Sequence, residues 1–208
     1  MKKNPSKLIA CLITVAFGVS AQAQPTLITF DDLTDNGSGT PIAYGYAGLD
    51  WNYFGVVNGL TVNGVNGYAG SGYHDGVVSQ DNVAYNVNGG LALFYVNTGA
   101  FNLNSAYLTG AWNDGLQVEV KGYVGDTVTY DNVYTVNTAG PTLINFNYSG
   151  VDEVDFDSYG GFQNFSFNGN GWQFAMDNLS ITWVPEPTTL ALMSLGGFVP
   201  IFVARRRK

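Results

Sequence analysis

Two stretches of the 208-residue chain, LITFDDL near its start and FAMDNLSITW near its end, carry carboxylates inside runs of alternating apolar residues. In the second, Leu179, Ile181 and Trp183 share one face of a strand, and counting back by two puts Asp177 on that face. In the first, Ile28 and Phe30 share a face and Asp32 is its next position. A carboxylate turned toward an apolar layer is costly unless it is paired, hydrogen-bonded or coordinated to a cation. Oxygen donors suit Ca²⁺. Asp31, Asp32, Asp177 and Asn178 are therefore candidate ligands of a structural Ca²⁺. The alternative is that they cap turns, accept from backbone N–H groups, or are turned outward by a bulge.

A second set is aromatic. Tyr44, Tyr46, Trp51, Tyr53, Tyr68, Tyr73 and Trp112 are interleaved with Asn, Asp and Gly. Sugar rings stack on flat aromatic faces and bond to amides and carboxylates. Trp112-Asn113-Asp114-Gly115 falls at a strand end and hairpin turn, where an aromatic can project. Tyr44, Tyr46, Trp51, Tyr73, Trp112, Asn113 and Asp114 are candidate contacts for a polysaccharide; for each aromatic the alternative is core packing.

Catalysis has little to stand on. His74 is the sole histidine, and a triad with Ser71 and Asp75 lacks any nucleophile-elbow context. Two carboxylates suffice for a glycosidase, but Glu119 and Glu153 fall on the solvent faces of alternating strands. No phosphate-binding loop, dinucleotide fingerprint or zinc-spaced His/Cys set is present. The expectation is a non-enzymatic protein.

Short β-rich runs must position these groups. In LQVEVKG, Leu116, Val118 and Val120 oppose Gln117, Glu119 and Lys121; in VDEVDFD, Val154 and Phe156 oppose Glu153, Asp155 and Asp157. Further strands are expected at 27–31, 77–86, 91–97, 104–112, 142–148 and 174–184, and one over DTVTYDNVYTVN with a kink near Asn132. Seven Asn-Gly pairs supply turns, since both residues adopt positive φ readily. The stretch from Asn36 to Asp75 reads as long loops with short strands. No helix-period stretch separates the strands, so the fold class is all-β: an antiparallel, jelly-roll-like β-sandwich.

Both ends differ from this body. Lys2, Lys3 and Lys7, the apolar run Leu8 to Val19 and Ala21-Gln22-Ala23 form the three parts of a secretory signal peptide over 1–23, with Gln24 as the new N-terminus. Cys11, the only cysteine, leaves with it, so the mature protein has no disulfide. Residues 24–184 hold one base, Lys121, against fifteen acids, a net charge near −14 that repels phosphate backbones and excludes nucleic acid as a partner. At the end, Pro185-Glu186-Pro187 precedes an uncharged run, Thr188 to Ala204, and then Arg205, Arg206, Arg207 and Lys208. As a helix that run spans roughly 25 Å, the lower limit for a transmembrane helix, and the basic tail holds its end in the cytoplasm.

Residues 185–208 thus resemble the PEP-CTERM sorting signal of exported proteins in exopolysaccharide-producing Gram-negative bacteria. The resemblance implies processing by an exosortase, transient anchoring in the inner membrane, and delivery to the cell surface or extracellular matrix. The body, through ITFDDL, YGYAGLDW, NSAYLTGAWNDGLQVEVKGY and FAMDNLSITW, is similar to a recurrent domain that precedes such signals. The candidate calcium ligands resemble carbohydrate-binding jelly rolls with calcium between first and last strands. The expected function is a surface protein whose sandwich binds exopolysaccharide; the alternatives are a structural matrix protein without a ligand and, behind it, a glycan hydrolase.

Overall fold

The computed structural model describes residues 23–35, 39–61 and 70–185. Ala21, Tyr68, Glu186, Pro187, Arg205, Arg206 and Arg207, and with them most of the expected signal peptide and sorting segment, lie outside the described residues. Among the described residues no helix is long and apolar enough to cross a membrane.

Among the described residues fourteen strands form: β1 (Pro25–Ile28), β2 (Thr40–Pro41), β3 (Asp50–Asn52), β4 (Phe54–Asn58), β5 (Asn82–Asn86), β6 (Ala92–Tyr95), β7 (Ala100–Gly110), β8 (Asn113–Asp114), β9 (Leu116–Val124), β10 (Thr127–Val136), β11 (Thr142–Val151), β12 (Glu153–Tyr159), β13 (Phe162–Gln163) and β14 (Phe174–Val184). An α-helical turn, α1, spans Gly72–Asp75. Every strand pairing is antiparallel. One sheet runs β11-β7-β14-β5-β4-β2, with β1 beside the later half of β14; the other runs β10-β9-β12-β6-β3; β13 and β8 make a small ribbon. The antiparallel sandwich expected from the alternation is the fold that forms.

The core lies between the two larger sheets, where period-2 alternation delivers one face of each strand. Leu116, Val118 and Val120 of β9 and Val154 and Phe156 of β12 meet Phe101, Leu103, Phe146, Phe174 and Met176 from the facing sheet. A smaller cluster of Val57, Tyr73, Val83, Ala111 and Ala175 forms on the outer side of the first sheet, under α1.

Two expectations shift. The strand expected over 77–86 begins only at Asn82, because the N–H groups of Val78 and Ser79 donate to Asp177 rather than to a ladder. The irregularity in β10 falls between Val128 and Tyr130, not at Asn132. In the 36–75 stretch the described residues form the short strands β2, β3 and β4, as expected, and also the helical turn α1. The Asn-Gly reasoning holds where it is needed most: Asn88 and Gly89 both take positive φ, 60° and 68°, in the turn after β5.

β14 also sets the poles of the molecule. Its first residue, Phe174, pairs with Gly110 and its last, Val184, with Ala100. Pro25 of β1 pairs with Thr182. The chain therefore enters and leaves the sandwich at one pole, and α1, the β8–β13 ribbon and the loop 164–173 gather toward the other.

Candidate functional site

The sequence places Asp177 on the inner face with Leu179 and Ile181; the structure does not. Asn178 has φ 51°, and the β14–β7 register shifts between Asp177 and Ser180. This bulge reverses the parity of the strand. Phe174 and Met176 point into the core before it and Leu179 and Ile181 after it, while Asp177, fully buried, shares the outer side with Ala175. There its Oδ2 accepts from Val78 N at 2.7 Å and Ser79 N at 2.9 Å, and its Oδ1 from Ser79 Oγ at 3.1 Å and Asn178 N at 2.6 Å. Burial still pushes its pKa above the ordinary carboxylate value, against the pull of those donors.

Asp31 comes to the same hydroxyl. Its Oδ2 is 2.9 Å from Ser79 Oγ, and its Oδ1 accepts from the N–H groups of Asp81 and Asn82, each at 3.2 Å. β1 ends at Ile28, and Phe30 takes φ 64° at the head of a turn, so Asp32 is not the next inward position; its Oδ1 accepts from Tyr46 Oη at 2.6 Å. Asp31 and Asp177 thus meet around Ser79, while Asp32 pairs with Tyr46. The N–H groups aimed at Asp31 and Asp177 satisfy both carboxylates, while Asn178 Oδ1 is buried without a hydrogen-bond partner among the described residues. Among the described residues no group of three or more His, Cys, Asp and Glu converges on a metal-sized space. An open groove of about 480 Å³ runs past Asp31, Asp32, Tyr46 and Gln80 along β1.

The aromatic candidates separate. Trp51 is 2% exposed, with Phe30, Phe54 and Phe94 around its ring at 5.8, 5.4 and 4.9 Å between centroids, so it offers no face to a ligand. Tyr46 is half-buried against Phe30 and Trp51, its carbonyl taking the indole N–H at 3.0 Å. Tyr44 is exposed and bonds to Asn52. Asn113 is buried with its Nδ2 donating to Gly160 O, and Asp114 accepts from the N–H and hydroxyl of Thr138; both brace the β8–β13 ribbon. His74 pairs with its neighbour Asp75 at 2.9 Å.

Tyr73 and Trp112 do come together. Their rings cross edge to face at 5.5 Å, and Tyr85 meets Tyr73 in the same way at 5.6 Å. With Asn88, Asn170 and Gln173 they line a cleft of about 340 Å³. Gly169 lies flat on the indole: a Cβ there would sit 2.4 Å from Trp112 Cη2. The Gln173 side-chain oxygen is buried with no hydrogen-bond partner among the described residues. A cleft of this size, lined by rings and amides, can take a sugar unit through hydroxyl–amide hydrogen bonds, while Tyr73 itself is buried and Gly169 covers one face of the indole.

Sequence reasoning did not reach Tyr85, Gln173 or the exposed Phe162, Phe165 and Trp172. No sequence signal singled them out: Ser158–Met176 is uncharged, but so is the longer run 82–113.

Comparison with known proteins adds the following. Residues 184–208 match the PEP-CTERM protein-sorting motif, which supports an exported, exosortase-processed protein. No curated protein matches the chain. Among solved structures, the chain is similar to a DUF4465 family protein from Bacteroides caccae, at 12% identity and TM-score 0.47, over 83% of this chain and 99% of that one. It is also similar to a DUF4465 family protein from Bacteroides ovatus, at 10% identity and TM-score 0.40, over 76% and 94%. What the chain shares with characterised sequences is its C-terminal sorting motif, joined without a spacer to the last strand of an antiparallel β-sandwich.

Proposed function

We propose that this chain is a non-enzymatic cell-surface or matrix protein whose sandwich binds polysaccharide in the cleft between Tyr73, Tyr85, Trp112 and Gln173. A signal peptide over 1–23 starts its export, an exosortase removes the 185–208 tail after transient anchoring in the inner membrane, and exopolysaccharide is the partner. The observation that carries the binding reading is the cleft of about 340 Å³ in which Tyr85 and Trp112 lie beside the amides of Asn88, Asn170 and Gln173.

Affinity electrophoresis of the full-length chain in detergent tests it, using gels loaded with mixed-linkage glucan, galactomannan, alginate or hyaluronan. Retardation by at least one polymer is expected, weakened by Gln173→Leu. Equal mobility in all gels would overturn the binding reading and leave a purely structural matrix role.

A further inference from the structure

We infer that the pole opposite the sorting signal is a docking surface for an uncharged polysaccharide chain, extending from the cleft across Phe162, Phe165 and Trp172. This rests on the polysaccharide reading above and adds to it the chemical class of the polymer and the surface it covers.

Two independent observations converge. The first is where the exposed aromatics lie. Among the described residues six aromatic side chains are strongly exposed: Tyr44, Tyr53, Tyr159, Phe162, Phe165 and Trp172. Five of them sit at one pole. Tyr53 immediately precedes Phe54, which pairs with Asn86; Tyr159 pairs with Gln117 at the start of β9; Phe162 pairs with Asp114; Trp172 leads into Phe174. Phe162 and Phe165 are 85% and 89% exposed, more than any other large apolar residue described. A soluble domain does not leave rings so open without a use for them.

The second is charge. The body carries fifteen acids, yet Ser158–Met176 carries no charge and supplies Asn, Gln and Ser between its rings. A polyanion would be repelled by the domain as a whole. A cationic partner would be drawn to the outer face of the second sheet, where Glu119, Asp155 and Asp157 lie on neighbouring strands. What the uncharged 158–176 segment fits, with the one neighbouring ribbon carboxylate, Asp114, already bonded to Thr138, is a neutral glycan held by ring stacking and hydroxyl–amide bonds.

Placement agrees with this use. β14 has eleven residues, so Trp172 stands roughly 30 Å from Pro185. The pole is thus the end of the sandwich farther from the sorting motif, clear of the processing site. The cleft opens onto the same loop, since Gly169, Asn170 and Gln173 line it.

The test uses the same gels at low and high salt, with a Phe162→Ser/Phe165→Ser/Trp172→Ser variant whose changes are all at exposed positions. The expected result is retardation by glucan or galactomannan at both salt concentrations, weakened at least tenfold in the variant with an unchanged Tm. Neutral-polymer binding that the variant retains would overturn the docking surface while leaving the cleft reading intact. Binding to alginate or hyaluronan alone would overturn the neutral class. Light scattering that shows salt-independent oligomers of the parent, abolished in the variant, would assign the pole to a second copy of the chain instead. Absence of binding to every polymer would remove both proposals.

Discussion

Asp177 holds Ser79 twice: its Oδ2 accepts the Ser79 backbone N–H at 2.9 Å and its Oδ1 the hydroxyl at 3.1 Å. Through this pair the last strand fixes the segment that leads into β5, 98 residues earlier, and Asp31 binds the same hydroxyl from the turn after β1. A hydroxyl has one proton to give. Backbone N–H groups supply the other donors that hold the two carboxylates beside each other.

Asp177→Ala should therefore be among the costlier substitutions in the domain. It removes the acceptor of the Val78, Ser79 and Asn178 N–H groups in a partly buried corner, at about 3 kcal/mol in total. Urea denaturation measures it, and a loss below about 1 kcal/mol would show that the 77–81 segment is held by other contacts.

The same donors should hold the corner without a metal. EDTA is expected to leave Tm unchanged, and added Ca²⁺ likewise, because a cation bound only by the folded state would raise it. A Tm that falls on chelation and recovers with Ca²⁺ would return Asp31, Asp32, Asp177 and Asn178 to a ligand role.

Gly169 and Trp112 should show strong coupling. Gly169→Ala puts a methyl 2.4 Å from the indole, so it should destabilise by about 1–3 kcal/mol in the parent. In a Trp112→Ala background the same change should cost close to nothing. A double-mutant cycle measures the difference, and additive effects would mean the loop does not rest on the ring.

The pH profile of stability should run against the usual acid trend. Burial raises the carboxyls of Asp177, Asp155 and Glu153 above their ordinary values, and for Glu153 neighbouring acids add to it. Such groups take protons in the folded state at a pH where the unfolded chain is still ionised. Stability should then rise as pH falls from neutral toward about 4, the ordinary carboxylate range, and gain nothing from these groups below it. Urea midpoints at pH 5 and 7.5 check this: a higher midpoint at pH 5 is expected, and Asp155→Asn should narrow the gap.

The amino-acid sequence by itself determined most of the strands, the turns and the C-terminal sorting motif. Alternation in LQVEVKG and VDEVDFD is a local property, and β9 and β12 form where it occurs. The apolar run and basic tail after Pro185 are equally local, and the sorting motif matches there. Only the tertiary structure decided which face Asp177 takes. Counting by two is valid until one residue is inserted, and the insertion at Asn178 is visible only against the neighbouring strand β7. Trp51 and Trp172 likewise look alike in a sequence, each set among Asn, Asp, Gln and Gly. One is enclosed by Phe54 and Phe94 from both sheets and the other stands at the open pole, because burial of a ring is settled by what packs over it from elsewhere in the chain.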